Sequence, residues 1–202
     1  MKAVPVLMAA ALAATCAVSA AWAQDTVRVR GEITKAEGTT LAVKARDGAN
    51  LTVKLAEPPR IAAMEKASLA DIKVDSFIGV SAIPQPDGSQ KAYAIHIFMD
   101  SQKGVVADRF GPWDSRPGST MTNAFVATTV SGKDGQELLV KYKDGEKKII
   151  VAPDTIIAKY VPGSAADLKV GAKVFVAAAK KEADGSLTAP NIAVGRTIDP
   201  PQ

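Results

Sequence analysis

The sequence is poor in the side chains that most often carry out chemistry. Its 202 residues include one Cys and one His, and 5% are aromatic, against 47% hydrophobic and 23% charged. A zinc site built from His and Cys needs three or four such ligands, which two residues cannot supply. A Ser-His or Cys-His pair would have to use the single histidine, His96. The composition is that of a soluble globular protein, and we expect no enzyme activity and no cofactor.

The first 23 residues have the order of a secretory signal peptide. Lys2 provides the positive start, residues 4–21 are mostly apolar, and Ala21-Trp22-Ala23 ends the segment. We therefore expect cleavage after Ala23 and a periplasmic location. One alternative is an N-terminal membrane anchor, for which the apolar run is short. Another is a lipoprotein acylated on Cys16, which Thr15 directly before it disfavours.

The chain from residue 24 onward has no cysteine, hence no disulfide and no thiol nucleophile. Removing Lys2 leaves 24 basic against 21 acidic residues, a net charge of +3. Proteins that bind nucleic acid usually show a larger or more clustered excess. We therefore expect an anionic envelope component, or a periplasmic or membrane protein, as the partner. No second segment is long and apolar enough to cross a bilayer, and the oligomeric state is left open.

An internal repeat is the strongest signal in the chain. Residues 41–48 (LAVKARDG) match residues 138–145 (LLVKYKDG) at an offset of 97. Residues 66–74 match 162–170 at an offset of 96, and residues 86–89 match 183–186 at 97 again. Three matches in the same order indicate that one unit is present twice.

Each copy reads as five short strands with one helical turn. Apolar and polar residues alternate along residues 27–34, 41–46 and 50–55, which is the period of a half-buried strand. A helical turn capped by Ser68 follows, and then strands over residues 77–84 and 93–98. The second copy repeats this order. It is the order of a small Greek-key barrel, so we predict an all-β fold of two tandem OB-like five-stranded β-barrels; an open sandwich is the alternative.

The predicted organisation has five parts: a signal peptide (1–23), a first barrel (24–98), a Pro/Gly-rich connecting loop (99–123), a second barrel (124–196) and a tail (197–202). A unit of about 70 residues buries only around 60% of its unfolded surface and is marginal alone. We therefore expect the two barrels to pack on each other.

Basic residues on the strands form one candidate binding site. Strand alternation directs them away from the barrel core, onto the face where OB-type barrels bind ligands. The first copy has no stacking aromatic there, so an acidic glycan or a lipid headgroup fits better than nucleic acid. The alternative is a solvated charged face that prevents strand aggregation. The residues are Arg28, Arg30, Lys44, Arg46, Lys54, Lys141 and Lys143.

The connecting loop carries a second candidate site. Trp and Arg are favoured anchors at contacts, so the loop could recognise a partner. It could instead be a latch, with Trp113 filling the groove between the barrels, and this is the interpretation we favour. Its residues are Arg109, Phe110, Trp113, Asp114 and Arg116.

His96 alternates with Ile95 and Ile97 on a predicted strand, and the repeat has Ala193 in its place. A lone His on a strand is most often an ordinary surface residue, so we expect no catalytic role and no metal site. Five aspartates directly precede a glycine, and we interpret them as parts of hairpin turns. They are Asp47, Asp87, Asp134, Asp144 and Asp184. The sequence contains no calcium loop, nucleophile elbow or phosphate loop.

The repeat motif resembles a bacterial exported family of β-barrel domains of unknown function. The family pattern L-x-V, D-G, L-A-D-L-K-V-G, D-G is followed by both copies, except that Asp75 stands where the pattern has Gly; the second copy has Gly171. The segment 112–123 is similar to exported proteins labelled as metal-transporter permeases. A permease needs several membrane spans, which this sequence lacks. The resemblance implies a β-barrel fold and export, and it supplies no catalytic residues.

Three functional hypotheses remain. The first is a non-enzymatic periplasmic binding or interaction protein. The second is an accessory to metal-ion transport or homeostasis, which would require oxygen ligands and His96. The third is a hydrolase of envelope polymers, which would require convergent carboxylates in a cleft.

Overall fold

The computed structural model describes residues 26–132 and 135–201. The predicted signal peptide and the turn residue Asp134 lie outside these ranges. The described residues form eleven β-strands and three one-turn 3-10 helices. The strands are β1 (Thr26–Glu37), β2 (Thr40–Ala45), β3 (Asn50–Lys66), β4 (Phe77–Pro84), β5 (Gln90–Ile97), β6 (Arg109–Pro112), β7 (Thr120–Gly132), β8 (Gly135–Tyr142), β9 (Gly145–Pro162), β10 (Lys173–Lys181) and β11 (Leu187–Gly195).

The strands close into two rings of five, and each ring uses both halves of the chain. In the first ring β1 pairs with β2, β2 with β3, β3 with β11, β11 with β10, and β10 with β1. The second ring runs β7, β8, β9, β5, β4 and back to β7. An all-β fold with a closed five-stranded barrel is therefore confirmed.

The predicted tandem arrangement, with one barrel in each half, is not confirmed. Residues 24–98 supply three strands of the first ring and two of the second, so the boundaries 24–98 and 124–196 do not delimit the rings. The physical reason is that β3 and β9 are long enough, at 17 and 18 residues, to carry the chain from one ring into the other. The last two strands of each half then complete the ring begun by the other half.

Each ring encloses its own hydrophobic core. The first core combines residues of β1, β2 and β3, such as Val29 and Leu41, with residues of β10 and β11, such as Val174 and Val194. The second core joins Ile78 and Ile95 of the first half to strands β7 to β9. Both cores therefore depend on contacts between the halves, and burial of this apolar surface is the main force that holds the halves together.

The two long strands cross each other on an approximate two-fold axis. Residues 62–66 of β3 pair antiparallel with residues 158–162 of β9. If the offset of 96 found for residues 66–74 is extended two residues back, Met64 corresponds to Tyr160, and these two residues face each other in the register. The protein is thus built like a dimer that has exchanged strands, within one polypeptide.

The predicted helical turns are confirmed as 3-10 turns, Leu69–Asp71 and Ala165–Asp167. In each turn the Asp carboxylate accepts the backbone N–H of the preceding serine, Ser68 or Ser164, at 2.8 Å. Just beyond the turns, Asp75 has a φ of 65° and its equivalent Gly171 a φ of 86°. The glycine at this position of the second copy is therefore explained by a left-handed backbone position, which Asp tolerates better than most residues.

Our first prediction concerns the two halves expressed separately. Residues 24–98 alone should not form a stable monomer, because three of its strands lack the partners that close the first ring. Mixing it with residues 99–202 should give a one-to-one complex with the circular dichroism spectrum of the intact chain, measured together with size-exclusion mass.

The matched control is an intact chain with a protease site inserted after the exposed Gly104. Cleavage there leaves every strand pair in place, so the two fragments should stay together. If each half instead melts as a monomer at the temperature of the whole chain, the exchange of strands is not what stabilises the protein.

Candidate functional site

The connecting segment 99–123, predicted as a Pro/Gly-rich loop, contains strand β6. Strand β6 pairs with the start of β7, from Arg109 opposite Asn123 to Pro112 opposite Thr120. The tip is closed by a backbone hydrogen bond, in which the main-chain N–H of Trp113 donates to the carbonyl oxygen of Ser119 at 2.8 Å. We refer to residues 109–123 as the connecting hairpin.

The tip of the connecting hairpin binds two arginines of the first ring. Arg30 donates to both carboxylate oxygens of Asp114, at 2.7 and 3.1 Å, and Arg28 donates to one of them at 2.7 Å. Both arginines alternate with core residues of β1, so they point away from the core as predicted. They do not, however, form a free basic face, because the hairpin lies over them and the Arg30 side chain is only 6% exposed.

Aromatic rings complete this cluster. The guanidinium carbons of Arg28 and Arg30 lie 4.7 and 5.1 Å from the centre of the Trp113 ring. Arg30 also lies 5.3 Å from the ring of Phe175, its cross-strand neighbour on β10. Such cation–π contacts are strongest when the cation is shielded from water, as Arg30 is. We name these residues, Arg28, Arg30, Trp113, Asp114 and Phe175, the arginine–tryptophan cluster.

The cluster perturbs its carboxylate and leaves two donors unused. Hydrogen bonds from Arg30, and then from Arg28, hold the pKa of Asp114 far below its usual range. Arg30 Nε and Trp113 Nε1 are buried, and neither has a hydrogen-bond partner among the residues that the structure describes. Buried donors without acceptors are uncommon in folded proteins and call for an explanation.

The other side of the hairpin contacts the second ring. The hydroxyls of Tyr93, on β5, and Ser115 are 2.5 Å apart, and the Arg116 guanidinium lies 4.0 Å from the Tyr93 ring centre. Phe110 lies 6.1 Å from Tyr142. The hairpin therefore contacts both rings, which is the geometry that a latch requires; whether it stabilises the fold is tested below. Arg109 is exposed at the base of β6.

The remaining basic residues divide into paired and exposed ones. Lys54 forms an ion pair with Asp184 at 2.9 Å. The other four are exposed, and within the described ranges none has a carboxylate at ion-pairing distance. They are Lys44, Arg46, Lys141 and Lys143.

His96 is not the surface residue that its sequence context suggested. It is 6% exposed, on β5 between Gly79 of β4 and Ala158 of β9. Its ring centre lies 6.3 Å from that of Tyr160. Burial lowers the pKa of His96 to about 4, because the charged imidazolium is poorly solvated there.

The described residues contain no group of three or more His, Cys, Asp or Glu side chains that could hold a metal ion. A groove of about 740 Å³ runs along residues 151–157, and its lining contains one carboxylate, that of Asp154. The metal and hydrolase hypotheses therefore gain no supporting geometry. None of the described helices is long and apolar enough to cross a membrane.

Sequence reasoning missed the aromatic partners Phe175, Tyr93 and Tyr142. Phe175 lies between the buried Val174 and Val176, so strand alternation directs it away from the core. An outward aromatic in a strand was thus a usable signal, although its partner could not be read from it.

The fold and the site define the class: an all-β protein with a closed five-stranded barrel and an arginine–tryptophan cluster outside the core. Comparison of the chain with protein-family models, with curated proteins and with solved structures found no match in any of the three. The resemblance to the exported β-barrel family therefore stays a prediction that depends on the repeat motif.

Our second prediction tests the latch. Trp113→Ala should lower the free energy of unfolding by about 2 kcal/mol. This loss is smaller than the roughly 3–5 kcal/mol lost when a fully buried Trp is replaced by Ala, because Trp113 is half-buried. For a chain of this size the melting temperature should fall by roughly 4–8 °C. Trp113→Phe, which keeps an aromatic face for the arginines, should lose less. An unchanged melting temperature for Trp113→Ala would leave recognition as the better interpretation.

The third prediction concerns pH. Because the pKa of His96 is lower in the folded than in the unfolded protein, the unfolded state binds more protons between pH 6.5 and 4, and stability falls as the pH is lowered through that window. From pH 6.5 to 4.5 the loss should be about 2 kcal/mol, measured by urea unfolding.

His96→Gln serves as the control, since it has no titrating ring. Its unfolding free energy should change much less over the same window, whatever its absolute stability. Carboxylates with lowered pKa values, such as Asp114 and Asp167, contribute mainly at lower pH. An equal pH slope in the parent and the variant would show that His96 is not the group responsible.

Proposed function

We propose that this chain is an exported, non-enzymatic binding protein that attaches to an acidic polysaccharide of the cell envelope. The observation that carries the proposal is the exposure of the same basic pair in both halves of the chain. Each pair precedes an Asp-Gly turn: Lys44 and Arg46 in the first half, Lys141 and Lys143 in the second.

The order of strands supports an OB-like interpretation of each ring. In the first ring β1, β2 and β3 are consecutive neighbours. Strand β11 pairs in parallel with β3, and β10 pairs with β1 and closes the ring. The second ring repeats this with β9 beside β5 and β4 on β7. In OB-type barrels, oligosaccharides and oligonucleotides bind on the face of the second and third strands. Both basic pairs lie at the end of the second strand, β2 or β8.

The local charge balance leaves these side chains available to an external anion. The nearest opposing carboxylates in the strand register are Glu32, opposite Lys44, and Glu146, opposite Lys141. Glu32 forms its ion pair with Lys173, at 2.6 Å. The carboxylate of Asp47 accepts the N–H of Ala49 within its own turn.

The chemistry favours a polysaccharide over nucleic acid. Strands β1, β2 and β3 contain no aromatic residue on which bases could stack. Two equivalent basic pairs on one chain also suit a ligand with repeating charges, because binding at one pair raises the effective concentration at the other.

The fourth prediction is a binding measurement with polygalacturonate as the probe. Neutralising Lys44, Arg46, Lys141 and Lys143 to Gln should weaken binding roughly tenfold or more at low salt, since each exposed cation near an anionic surface contributes about 1 kcal/mol. Binding of the parent should also weaken steeply from 50 to 200 mM salt, as screening increases.

The matched control neutralises four exposed lysines elsewhere: Lys73, Lys91, Lys169 and Lys181. It has the same net charge as the test variant and should bind nearly as well as the parent. An equal loss of polygalacturonate affinity in both variants would show that binding depends only on net charge, and it would overturn the proposed site. Binding to phosphatidylglycerol vesicles but not to polygalacturonate would replace the polysaccharide by a lipid surface.

A further inference from the structure

We propose that the arginine–tryptophan cluster is a recognition site for an external oxyanion, a carboxylate or phosphate group, which Asp114 occupies in the free protein. The site is separate from the basic pairs on the Asp-Gly turns, and none of the variants proposed for those pairs alters it.

The first argument is the surplus of donors over acceptors. Arg28 and Arg30 bring two positive charges, and Asp114 brings one negative charge. In the described part of the chain, neither Arg30 Nε nor Trp113 Nε1, both buried, has an acceptor. A single carboxylate therefore does not satisfy the donors that the cluster assembles, whereas an anion with three or four oxygens offers further acceptors.

The second argument is preorganisation. The Arg30 guanidinium is held near two aromatic rings, those of Trp113 and Phe175, and its fork already engages a carboxylate through two oxygens. A planar fork fixed in this way matches the geometry of carboxylate and phosphate groups and loses little side-chain entropy on binding them.

The third argument is access. Although the Arg30 side chain is buried, the Asp114 side chain is 48% exposed and that of Arg28 33%. The occupied carboxylate thus lies at the open edge of the cluster. An external anion can replace it when the Asp114 side chain rotates outward, while Trp113 and the strand pairs of β6 with β7 stay in place.

The fifth prediction uses Trp113 as its own reporter. In residues 24–202, the chain expected after cleavage, Trp113 is the only tryptophan. In this chain, Asp114→Asn removes the internal carboxylate and keeps the size of the side chain. Inorganic phosphate, titrated at constant ionic strength, should then bind at least roughly tenfold more tightly than to the parent, as followed by Trp113 fluorescence.

Two controls separate a built site from general charge effects. Asp184→Asn makes the same charge change at an exposed carboxylate paired with Lys54, and it should not gain phosphate affinity. Adding Arg30→Gln to Asp114→Asn should abolish the gain. Equal gains in Asp114→Asn and Asp184→Asn, or no gain in either, would overturn the proposal.

A folding readout covers the case in which Asp114→Asn unfolds. The melting temperature of Asp114→Asn should be higher in phosphate than in chloride. An equal melting temperature in the two salts would count against the site. A parallel titration with acetate distinguishes carboxylate-bearing from phosphate-bearing ligands. Loss of polygalacturonate binding by the basic pairs would not affect either result.

Discussion

The crossing of β3 and β9 is the constraint on which the rest of the structure depends. Each of these strands begins in one ring and ends beside the other, and the two pair where Met64 faces Tyr160. Because the chain changes rings at this point, the last two strands of each half can only complete the opposite ring. The hydrophobic cores of the first and the second ring are therefore both assembled from contacts between residues distant in sequence. Folding must accordingly bring the two halves together before either core is closed.

The arginine–tryptophan cluster is a consequence of the same crossing. Phe175 stands beside Arg30 only because β10, from the second half, pairs with β1. The connecting hairpin then adds Trp113 and Asp114 over these two strands, and contacts Tyr93 on the second ring. A segment that joins two repeats thus contributes the carboxylate and the indole of the cluster, while the strands contribute its cations.

Much of the strand content could be predicted from alternation, and the equivalence of the halves from the repeat. What could not be predicted is the extension of β3 and β9 beyond residues 55 and 151. Pro58, Pro59 and Pro153 interrupt the pattern there, and proline ordinarily argues against a paired strand because it donates no hydrogen bond. Both strands continue because the pairing shifts register across these residues, between Leu55 and Arg60 of β3 and between Val151 and Ile156 of β9. The missed extensions are the segments that exchange the strands.

Along β1 the sequence by itself determined which side chains point away from the core, since alternation along a strand is a local property of the backbone; on β5 the same reasoning failed for His96, which is buried. It placed Arg28 and Arg30 outside the core and marked Trp113 as exceptional. Only the tertiary structure decided that Asp114 pairs with both arginines, that Lys54 is paired, and that Lys44 and Lys141 have no carboxylate of the described residues at ion-pairing distance. The reason is that partners 84 and 130 residues apart are set by how the rings close, and local patterns carry no information on register between distant strands.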